Sequence, residues 1–247
     1  MGPRGPGPDP WHGLGAHTAA RIALGRTGGS LRTPSVLDLR IAHAGARDAV
    51  HAAFDVAALG KALNGQDLPT ELLATQVTDR ATYLVRPDLG RILSPASAEH
   101  LRSAAPTWGR RDIAVLVSDG LSAKAAGAHA AETVVELARL LAGAGWTLYP
   151  IFLVPFARVK LQDAVGEILG ATHSIMLLGE RPGLSAHDSL GAYLTFGPRA
   201  DRTDADRNCV SNIRMDGLPP LAAARKLVQI LLESRRRSLS GTRLREA

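Results

Sequence analysis

Three apolar runs in the second half of the sequence constrain the fold more than any other feature. They occupy residues 112–117 (DIAVLV), 146–154 (WTLYPIFLV) and 173–178 (HSIMLL). Each is short and rich in β-branched, aromatic or leucine residues, which is typical of a strand buried on both faces. Helical patterns at 123–144 and 159–169 separate the runs. Because strands that alternate with helices form right-handed βαβ units, we predict an α/β domain with a Rossmann-like (flavodoxin-like) parallel sheet.

The first part of the chain lacks this alternation, which suggests a division into three segments. Residues 1–17 are rich in Gly and Pro and offer little to bury, so we predict that they are disordered. Residues 18–105 are predicted to form an arm and a smaller, mainly helical N-terminal module. Residues 106–247 are predicted to form the Rossmann-like domain.

Within the N-terminal module, apolar residues recur at intervals of three and four, which predicts helices. These predicted helices cover 35–59, 69–74 and 94–104. Ser35 and Ser94 are placed to cap the first and third helices. The triplet Tyr83-Leu84-Val85 predicts a short strand, because aromatic and β-branched residues favour extended backbone.

Composition and charge exclude several classes of protein. The formal net charge is +6, but the arginines are spread along the chain and the only dense cluster is 235–237, so we predict no nucleic-acid role. The single cysteine, Cys209, excludes an internal disulfide and a Cys-based zinc site and fits a reducing cytosol. No run approaches the ~18 apolar residues of a membrane span, and the N-terminus lacks the apolar core of a secretory signal. We therefore expect a cytoplasmic protein with no membrane association.

A ligand site is predicted at the carboxyl edge of the sheet, where the loops that follow parallel strands converge. The polar loops there are 118–122, 155–159, 179–189 and 203–212. The stretch 179–214 is rich in Gly, Pro and charged residues, and we interpret it as a binding loop. Neither a G-x-G-x-x-G after the first strand nor a G-x-x-x-x-G-K-[ST] is present, so the sequence supports no dinucleotide or P-loop site.

Two catalytic interpretations compete with simpler structural ones. Cys209 could act as a nucleophile with His173 or His187 as its base, although a lone cysteine is more often a small inert hydrophobe. Asp119 and Ser122 could form a catalytic pair, although capping of the following helix is the simpler interpretation. We assign no catalytic residue.

A metal site is a third alternative. Asp201, Asp204 and Asp206 lie close together, but they are interspersed with arginines. This pattern suits a salt-bridged loop better than a cation site. We assign no metal ligand.

Six motifs in the sequence resemble those of one enzyme family. They are ARIALGRTGG, YLVRPDLGR, SDGLS, RVKLQDAVGEILGA, GERPGLS and DADRNCVSNIR. Their order and separations are similar to those in the small (light) subunits of ethanolamine ammonia-lyase. The resemblance extends essentially from Arg21 to the C-terminus.

This resemblance implies a function that the residue patterns do not reveal by themselves. Enzymes of the family depend on adenosylcobalamin and convert ethanolamine to acetaldehyde and ammonia. Their large subunit, a TIM barrel, holds the substrate, and the small subunit covers the corrin from the other side. The resemblance therefore implies a large-subunit partner and a hetero-oligomer, in the cytoplasm or within a bacterial microcompartment.

The resemblance also implies specific cofactor contacts. The family residues that contact the cofactor lie in the motifs RVK, GERPG and RxCxSN, which point to Val159, Glu180 and Cys209. The sequence lacks the D-x-H-x-x-G motif of enzymes that ligate cobalt through histidine, so no histidine is expected to bind cobalt. The competing hypothesis is a stand-alone α/β module that binds a nucleotide or cofactor without catalysis.

Overall fold

The computed structural model describes residues 11–18 and 20–244. The α-helices in this part of the chain are α1 (Thr33–His51), α2 (Val56–Asn64), α3 (Arg80–Val85), α4 (Pro95–Trp108), α5 (Ala123–Gly143), α6 (Leu161–Leu169) and α7 (Pro220–Arg237). The strands are β1 (Arg26–Thr27), β2 (Ser30–Leu31), β3 (Thr70–Leu72), β4 (Ile113–Ser118), β5 (Ile151–Leu153), β6 (His173–Gly179), β7 (Leu190–Phe196) and β8 (Arg207–Ile213). Among these residues, no helix combines the length and apolar character needed to cross a bilayer.

A six-stranded sheet with the order β3-β5-β4-β6-β7-β8 forms the centre of the protein. The first four strands are parallel, which confirms the α/β prediction. The prediction of an entirely parallel sheet is wrong, because β7 and β8 pair antiparallel with their neighbours. Both strands lie within the stretch 179–214 that was predicted to be a loop. Short connections of this kind return the chain antiparallel, whereas parallel pairs need a long crossover.

The alternating half of the chain otherwise follows its prediction. Strands β4 and β6 and helices α5 and α6 lie where the apolar patterns place them. The predicted strand 146–154 is shorter than expected, since only β5 joins the ladder fully and Leu148 makes an isolated bridge with Ile113. Gly170 follows the last residue of α6 in the left-handed conformation, which commonly ends a helix.

Two apolar cores lie on opposite faces of the sheet. Val115 and Val117 of β4 point to the core beneath α2, α5 and α7. Ala114 and Leu116 point to the core beneath α4 and α6. Every residue of β4 is buried, which explains the apolar run 113–117 within it.

The first predicted helix of the N-terminal module is in fact two helices. The chain breaks between α1 and α2, and the Asp55 side chain caps α2 by accepting from the Ala58 amide. Ser35 does not cap α1, because the helix already begins at Thr33 with Pro34 in its first turn. Proline fits this position because its missing N–H has no intrahelical partner there.

Two further predictions in this module are wrong and one is confirmed. Residues 69–74 contain β3, which pairs with β5 at the sheet edge, and do not form a helix. Tyr83-Leu84-Val85 lies in α3, where the Asp79 cap and the burial of Tyr83 override local strand propensity. Helix α4 is confirmed, with the Ser94 side chain accepting from the Ser97 amide.

The predicted segment boundaries stay predictions. Residues 1–10 of the predicted disordered segment lie outside the described residues, and His12–His17 forms a 3-10 helix. The division between residues 105 and 106 and the closer likeness to Rossmann or flavodoxin folds also stay predictions. Strand β3 connects the first segment to the main sheet by pairing with β5.

Candidate functional site

Three of the predicted loops converge at the carboxyl edge of the parallel strands. The Leu121 amide after β4 donates to the Gly179 carbonyl at the end of β6, at 2.8 Å. The Ala157 amide after β5 donates to the Ser118 hydroxyl of β4, at 3.0 Å. The loops after β4, β5 and β6 are therefore hydrogen-bonded to one another, as predicted.

Asp119 connects these loops to the N-terminal part of the chain. Its carboxylate accepts from the Phe156 amide at 2.7 Å and from Arg80 Nη1 at 3.0 Å. Burial raises the pKa of the Asp119 carboxyl, while the Phe156 amide and Arg80 oppose that shift. The helix-capping role predicted for Asp119 is wrong, because Ser122 alone accepts from the first turn of α5 through the Ala125 amide.

A concave pocket of about 670 Å³ opens beside this junction. Its floor is formed by Tyr193 of β7 and Cys209 of β8, which are paired across the antiparallel ladder. One wall is the segment Arg158, Val159 and Lys160, which leads into α6. The other lining residues are Arg91, Arg202, Thr203, Asp204 and Arg207.

The pocket floor favours uncharged side chains. Burial raises the pKa of the Tyr193 hydroxyl, and the neighbouring Cys209 and Glu180 raise it further. Burial also raises the pKa of the Cys209 thiol, which a hydrogen bond with Tyr193 lowers by less. Since the thiolate is the reactive form, Cys209 is poorly suited to nucleophilic attack at neutral pH.

Lys160 and Asp163 fix the walls of the pocket to each other. Lys160 Nζ donates to the Ala200 and Arg202 carbonyls of the segment before β8 and lies 2.9 Å from Asp163 Oδ2. Asp163 is buried and also pairs with Arg207 at 2.8 Å. Both walls are thereby set before any ligand arrives.

Glu180 lies next to the pocket floor. Its Oε2 accepts from the Ser189 hydroxyl at 2.5 Å and from the Asn212 amide at 3.3 Å. A Cβ on Gly191 would lie 2.9 Å from Glu180 Oε1 and 3.1 Å from the Tyr193 ring. A larger residue at position 191 would therefore require the Glu180 carboxylate or the Tyr193 ring to shift.

The family of the chain is decided by comparison with known proteins. A family model described as ethanolamine ammonia-lyase light chain (EutC) matches residues 8–245. The chain belongs to the ethanolamine ammonia-lyase light chain family. The resemblance seen in the sequence motifs is thereby confirmed.

Curated relatives agree with this family over almost their whole length. An "Ethanolamine ammonia-lyase small subunit" from Xanthomonas campestris pv. campestris is 50% identical over 245 residues, covering 99% of this chain and 90% of the relative. The protein of the same name from Azotobacter vinelandii is 50% identical over 239 residues, covering 96% and 88%. The one from Pseudomonas putida KT2440 is 48% identical over 248 residues, covering 100% and 91%.

The three residues that the light chain motifs single out lie close together. Val159 and Cys209 line the same pocket. Glu180 is not a lining residue, but it borders the floor through Tyr193. Cys209 lies on β8 and not on a loop, which differs from its predicted setting.

Sequence reasoning missed other residues of the pocket, above all Tyr193 and Arg91. Arg158 lies in the predicted loop 155–159 but was not singled out there. Tyr193 was missed because 190–196 was interpreted as part of a loop. The alternation of residues 192–195 (AYLT), in which Ala192 and Leu194 face one core, could have revealed the strand.

The partners of His173 and of three aspartates decide between competing interpretations of these residues. His173 is buried, and its Nε2 lies 3.0 Å from the Ser234 hydroxyl and not beside Cys209. The salt-bridged interpretation of the aspartates is confirmed. The three carboxylates pair with arginines, in Arg199–Asp201 at 2.6 Å, Arg207–Asp204 at 3.5 Å and Arg202–Asp206 at 3.7 Å.

Proposed function

We propose that this chain is the small subunit of an adenosylcobalamin-dependent ethanolamine ammonia-lyase and that it covers one side of the corrin at the interface with the large subunit. Membership of the light chain family over residues 8–245 carries this proposal. The reaction is the conversion of ethanolamine to acetaldehyde and ammonia. The groups that hold ethanolamine belong to the large subunit.

The chemistry of the pocket fits part of a corrinoid. A corrin presents a flat, largely apolar ring edged with amide side chains, and Val159, Tyr193 and Cys209 offer apolar and weakly polar contacts to such a surface. Amides need both donors and acceptors, and Glu180 supplies an acceptor next to the floor. The basic side chains that line the pocket, among them Arg158, supply donors.

The size of the pocket supports a shared site. Its volume of about 670 Å³ falls within the range of about 300–1,000 Å³ typical for pockets that enclose drug-sized ligands. Adenosylcobalamin is considerably larger than such a ligand. This chain would therefore enclose one part of the cofactor and leave the rest to the large subunit in a hetero-oligomer, located in the cytoplasm or a bacterial microcompartment.

When bound, adenosylcobalamin supplies the radical chemistry of the elimination, so the protein needs no acid, base or nucleophile on this chain. Val159 and Cys209 would contact the cofactor, and Glu180 would accept a hydrogen bond from a corrin amide. Their contribution is binding, orientation and the exclusion of water.

Glu180→Ala in the complex with the large subunit tests this function. We expect the apparent KM for adenosylcobalamin to rise roughly tenfold, since one hydrogen bond to a charged acceptor is lost, while the KM for ethanolamine changes little. Glu99→Ala on the surface of α4 is the matched control and should change neither value. Steady-state kinetics with each component varied in turn measures both.

The opposite result, a changed KM for ethanolamine with an unchanged KM for adenosylcobalamin, would refute the role of Glu180. The subunit function itself is tested with the isolated chain. Ammonia-lyase activity without the large subunit would contradict it. Tight binding of a nucleotide by the isolated chain, with no effect of the large subunit, would instead favour a stand-alone binding module.

A further inference from the structure

Five of the residues that line the pocket are basic, and their partners divide them into two groups. Lys160 and Arg207 are both paired with the buried carboxylate of Asp163, at 2.9 Å and 2.8 Å. Arg202 donates through Nε to the Gly197 carbonyl at 2.9 Å and lies 3.7 Å from Asp206. These three cations hold the walls together and have acidic neighbours of their own.

The remaining two, Arg91 and Arg158, have no carboxylate partner among residues 11–18 and 20–244. The Arg91 side chain is exposed and makes no hydrogen bond or ion pair within that part of the chain. Arg158 donates through Nη2 to the Tyr83 carbonyl at 3.3 Å, while its Nε is buried without an acceptor. The pocket therefore carries two positive charges that no carboxylate of the described residues neutralises.

Backbone packing places these two arginines at the same side of the pocket. The Arg158 amide donates to the Gly90 carbonyl at 2.8 Å, next to Arg91. A Cβ at Gly90 would lie 2.8 Å from the Phe156 carbonyl oxygen and 3.0 Å from Arg158 Cγ, so the two loops can approach only because residue 90 is glycine.

Tyr83 holds the Arg158 side chain in position. The Arg158 guanidinium lies 4.2 Å from the centroid of the Tyr83 ring, and the Tyr83 hydroxyl donates to the Ala157 carbonyl at 3.1 Å. Stacking on an aromatic face fixes a guanidinium without neutralising its charge. Arg158 is thus a preorganised cation.

We propose that Arg91 and Arg158 form a subsite for a phosphodiester anion at the side of the pocket where these two arginines lie. Guanidinium groups match the oxygens of a phosphate and form short, charge-assisted hydrogen bonds with them. The identity of the ligand rests on the proposed function: the amide side chains of adenosylcobalamin are neutral, and its nucleotide tail contains one phosphodiester. The subsite would hold that tail while Val159, Glu180 and Cys209 contact the corrin.

Three corrinoids test the subsite in the complex of this chain with the large subunit. Adenosylcobalamin contains the phosphodiester, adenosylcobinamide phosphate retains the phosphate without the nucleoside, and adenosylcobinamide lacks both. Equilibrium binding, measured from the visible absorbance of retained corrinoid after dialysis, gives a Kd for each without relying on turnover.

The variants are Arg91→Gln and Arg158→Gln, with Arg199→Gln as the matched control. Arg199 is exposed, pairs with Asp201 and does not line the pocket. We expect each of the two pocket variants to raise the Kd of the two phosphate-bearing corrinoids about tenfold, as expected for a lost hydrogen bond between charged groups. The Kd of adenosylcobinamide should stay unchanged, and the control should alter none of the three.

Several outcomes would overturn the subsite. Equal losses of affinity for all three corrinoids would mean that the arginines support the fold or the corrin contacts. No loss of affinity for any corrinoid would mean that the arginines do not contribute to binding. Arg91→Gln decides between these results, since its exposed side chain has no contact whose loss would unfold the chain. Weaker association of the two subunits without ligand would assign the arginines to the interface instead. A wild-type complex that retains no corrinoid would refute the proposed function itself.

Discussion

At the scale of single residues, Asp119 is the group on which most of the site geometry depends. It ties the ends of β4 and β5 to Arg80, the first residue of α3. Arg80 Nε also donates to the Val50 carbonyl at the end of α1, at 2.5 Å. One buried ion pair therefore connects α1, α3 and two strand ends.

We expect Arg80→Met to lower the free energy of unfolding by roughly 3 kcal/mol, because it leaves the buried Asp119 carboxylate without its counter-ion. The folded-state pKa of Asp119 is already raised, so ionisation of this carboxyl costs stability as pH rises through that pKa. Loss of Arg80 raises the pKa further. Urea denaturation should therefore show a larger loss at pH 8 than at pH 5.

The double variant Arg80→Met/Asp119→Asn is the control for this prediction. Removing both charges should recover part of the stability and abolish the pH dependence of the difference. A single variant as stable as the wild type at pH 8 would contradict the importance of the pair.

His173 gives a second pH-dependent prediction. Burial lowers its pKa from 6.5 to about 4, with a smaller contribution from Arg235. The unfolded chain then binds a proton more readily than the folded one, so stability present above pH 6.5 is lost as pH falls toward 4. The loss attributable to His173 is up to ~3 kcal/mol.

His173→Gln, which cannot titrate, should flatten this pH dependence. Chemical denaturation of both proteins between pH 4 and 7 measures it. An equally steep acid loss in His173→Gln and the wild type would show that other groups cause it.

At the scale of elements, the ends of β4 and β6 meet through two glycines. A Cβ at Gly179 would lie 2.1 Å from the Ser122 carbonyl oxygen, and one at Gly120 would lie 2.3 Å from the Gly179 carbonyl oxygen. Gly120 also has φ +52°, a backbone conformation that disfavours other residues. This contact sets the spacing of the carboxyl edge.

Gly179→Ala should therefore destabilise the protein by about 2 kcal/mol or more, since backbone atoms must move to admit the methyl group. Gly127→Ala in α5 is the matched control, because nothing lies within 4 Å of its added Cβ. That substitution should stabilise the protein by about 0.5–1 kcal/mol through helix propensity. Thermal unfolding of both variants checks that the stability falls for Gly179→Ala and rises for Gly127→Ala. Equal shifts of the two unfolding temperatures would contradict the close approach of the backbone at Gly179.

The elements that could be predicted from the sequence are those whose own residue pattern is sufficient to indicate a strand or a helix. Strands β4 and β6 are buried on both faces, so their composition alone indicates them. Strand β8 (RNCVSNI) has only Arg207, Val210 and Ile213 buried, and its polar residues resemble a loop. Its pairing with β7 depends on tertiary contacts that local patterns do not contain.

As with the strands, only part of the site could be predicted from the sequence. The convergence of the loops after β4, β5 and β6 follows from parallel topology, and family motifs point to Val159, Glu180 and Cys209. The contribution of Arg91 could not be predicted, because it depends on the approach of Gly90 to the segment after β5. In the sequence, Asp163 resembles an ordinary carboxylate on a helix. Its part in deciding which arginines are neutralised could therefore not be predicted either.

At the scale of the whole molecule, the pocket lies where the sheet extends beyond α6. Helix α6 packs on β4 and β6, and the row that continues from Met176 through Tyr193 to Cys209 leads out from beneath it. The Cys209 residue at the end of this row is exposed. The chain alone thus leaves open a surface that the proposed complex would cover.

Cys209 provides a chemical measure of this coverage, since it is the only cysteine in the chain. In the complex with the large subunit, we expect a small alkylating reagent to modify Cys209 slowly without ligand, because its pKa is raised. Saturating adenosylcobalamin should reduce the rate about tenfold or more, as direct cover of the thiol would. Peptide mass spectrometry of time points gives the rates.

Cys209→Ser should remove the modified peptide while leaving the complex able to bind the cofactor. The isolated chain, in which the pocket is open, should be alkylated at a rate that adenosylcobalamin changes little. Unaltered alkylation in the saturated complex would place the cofactor elsewhere.

The floor of the pocket is a hydrogen-bonded ladder between β7 and β8, and its walls are joined by Lys160 and Asp163. The backbone of such a floor, and of walls already joined to each other, is ordered before a ligand arrives, so little backbone conformational entropy is lost in the encounter. The rate of cofactor capture should then be governed by diffusion and by the separation of the two subunits. For this chain, the slow step of loading would be the opening of the assembly and not the folding of the site.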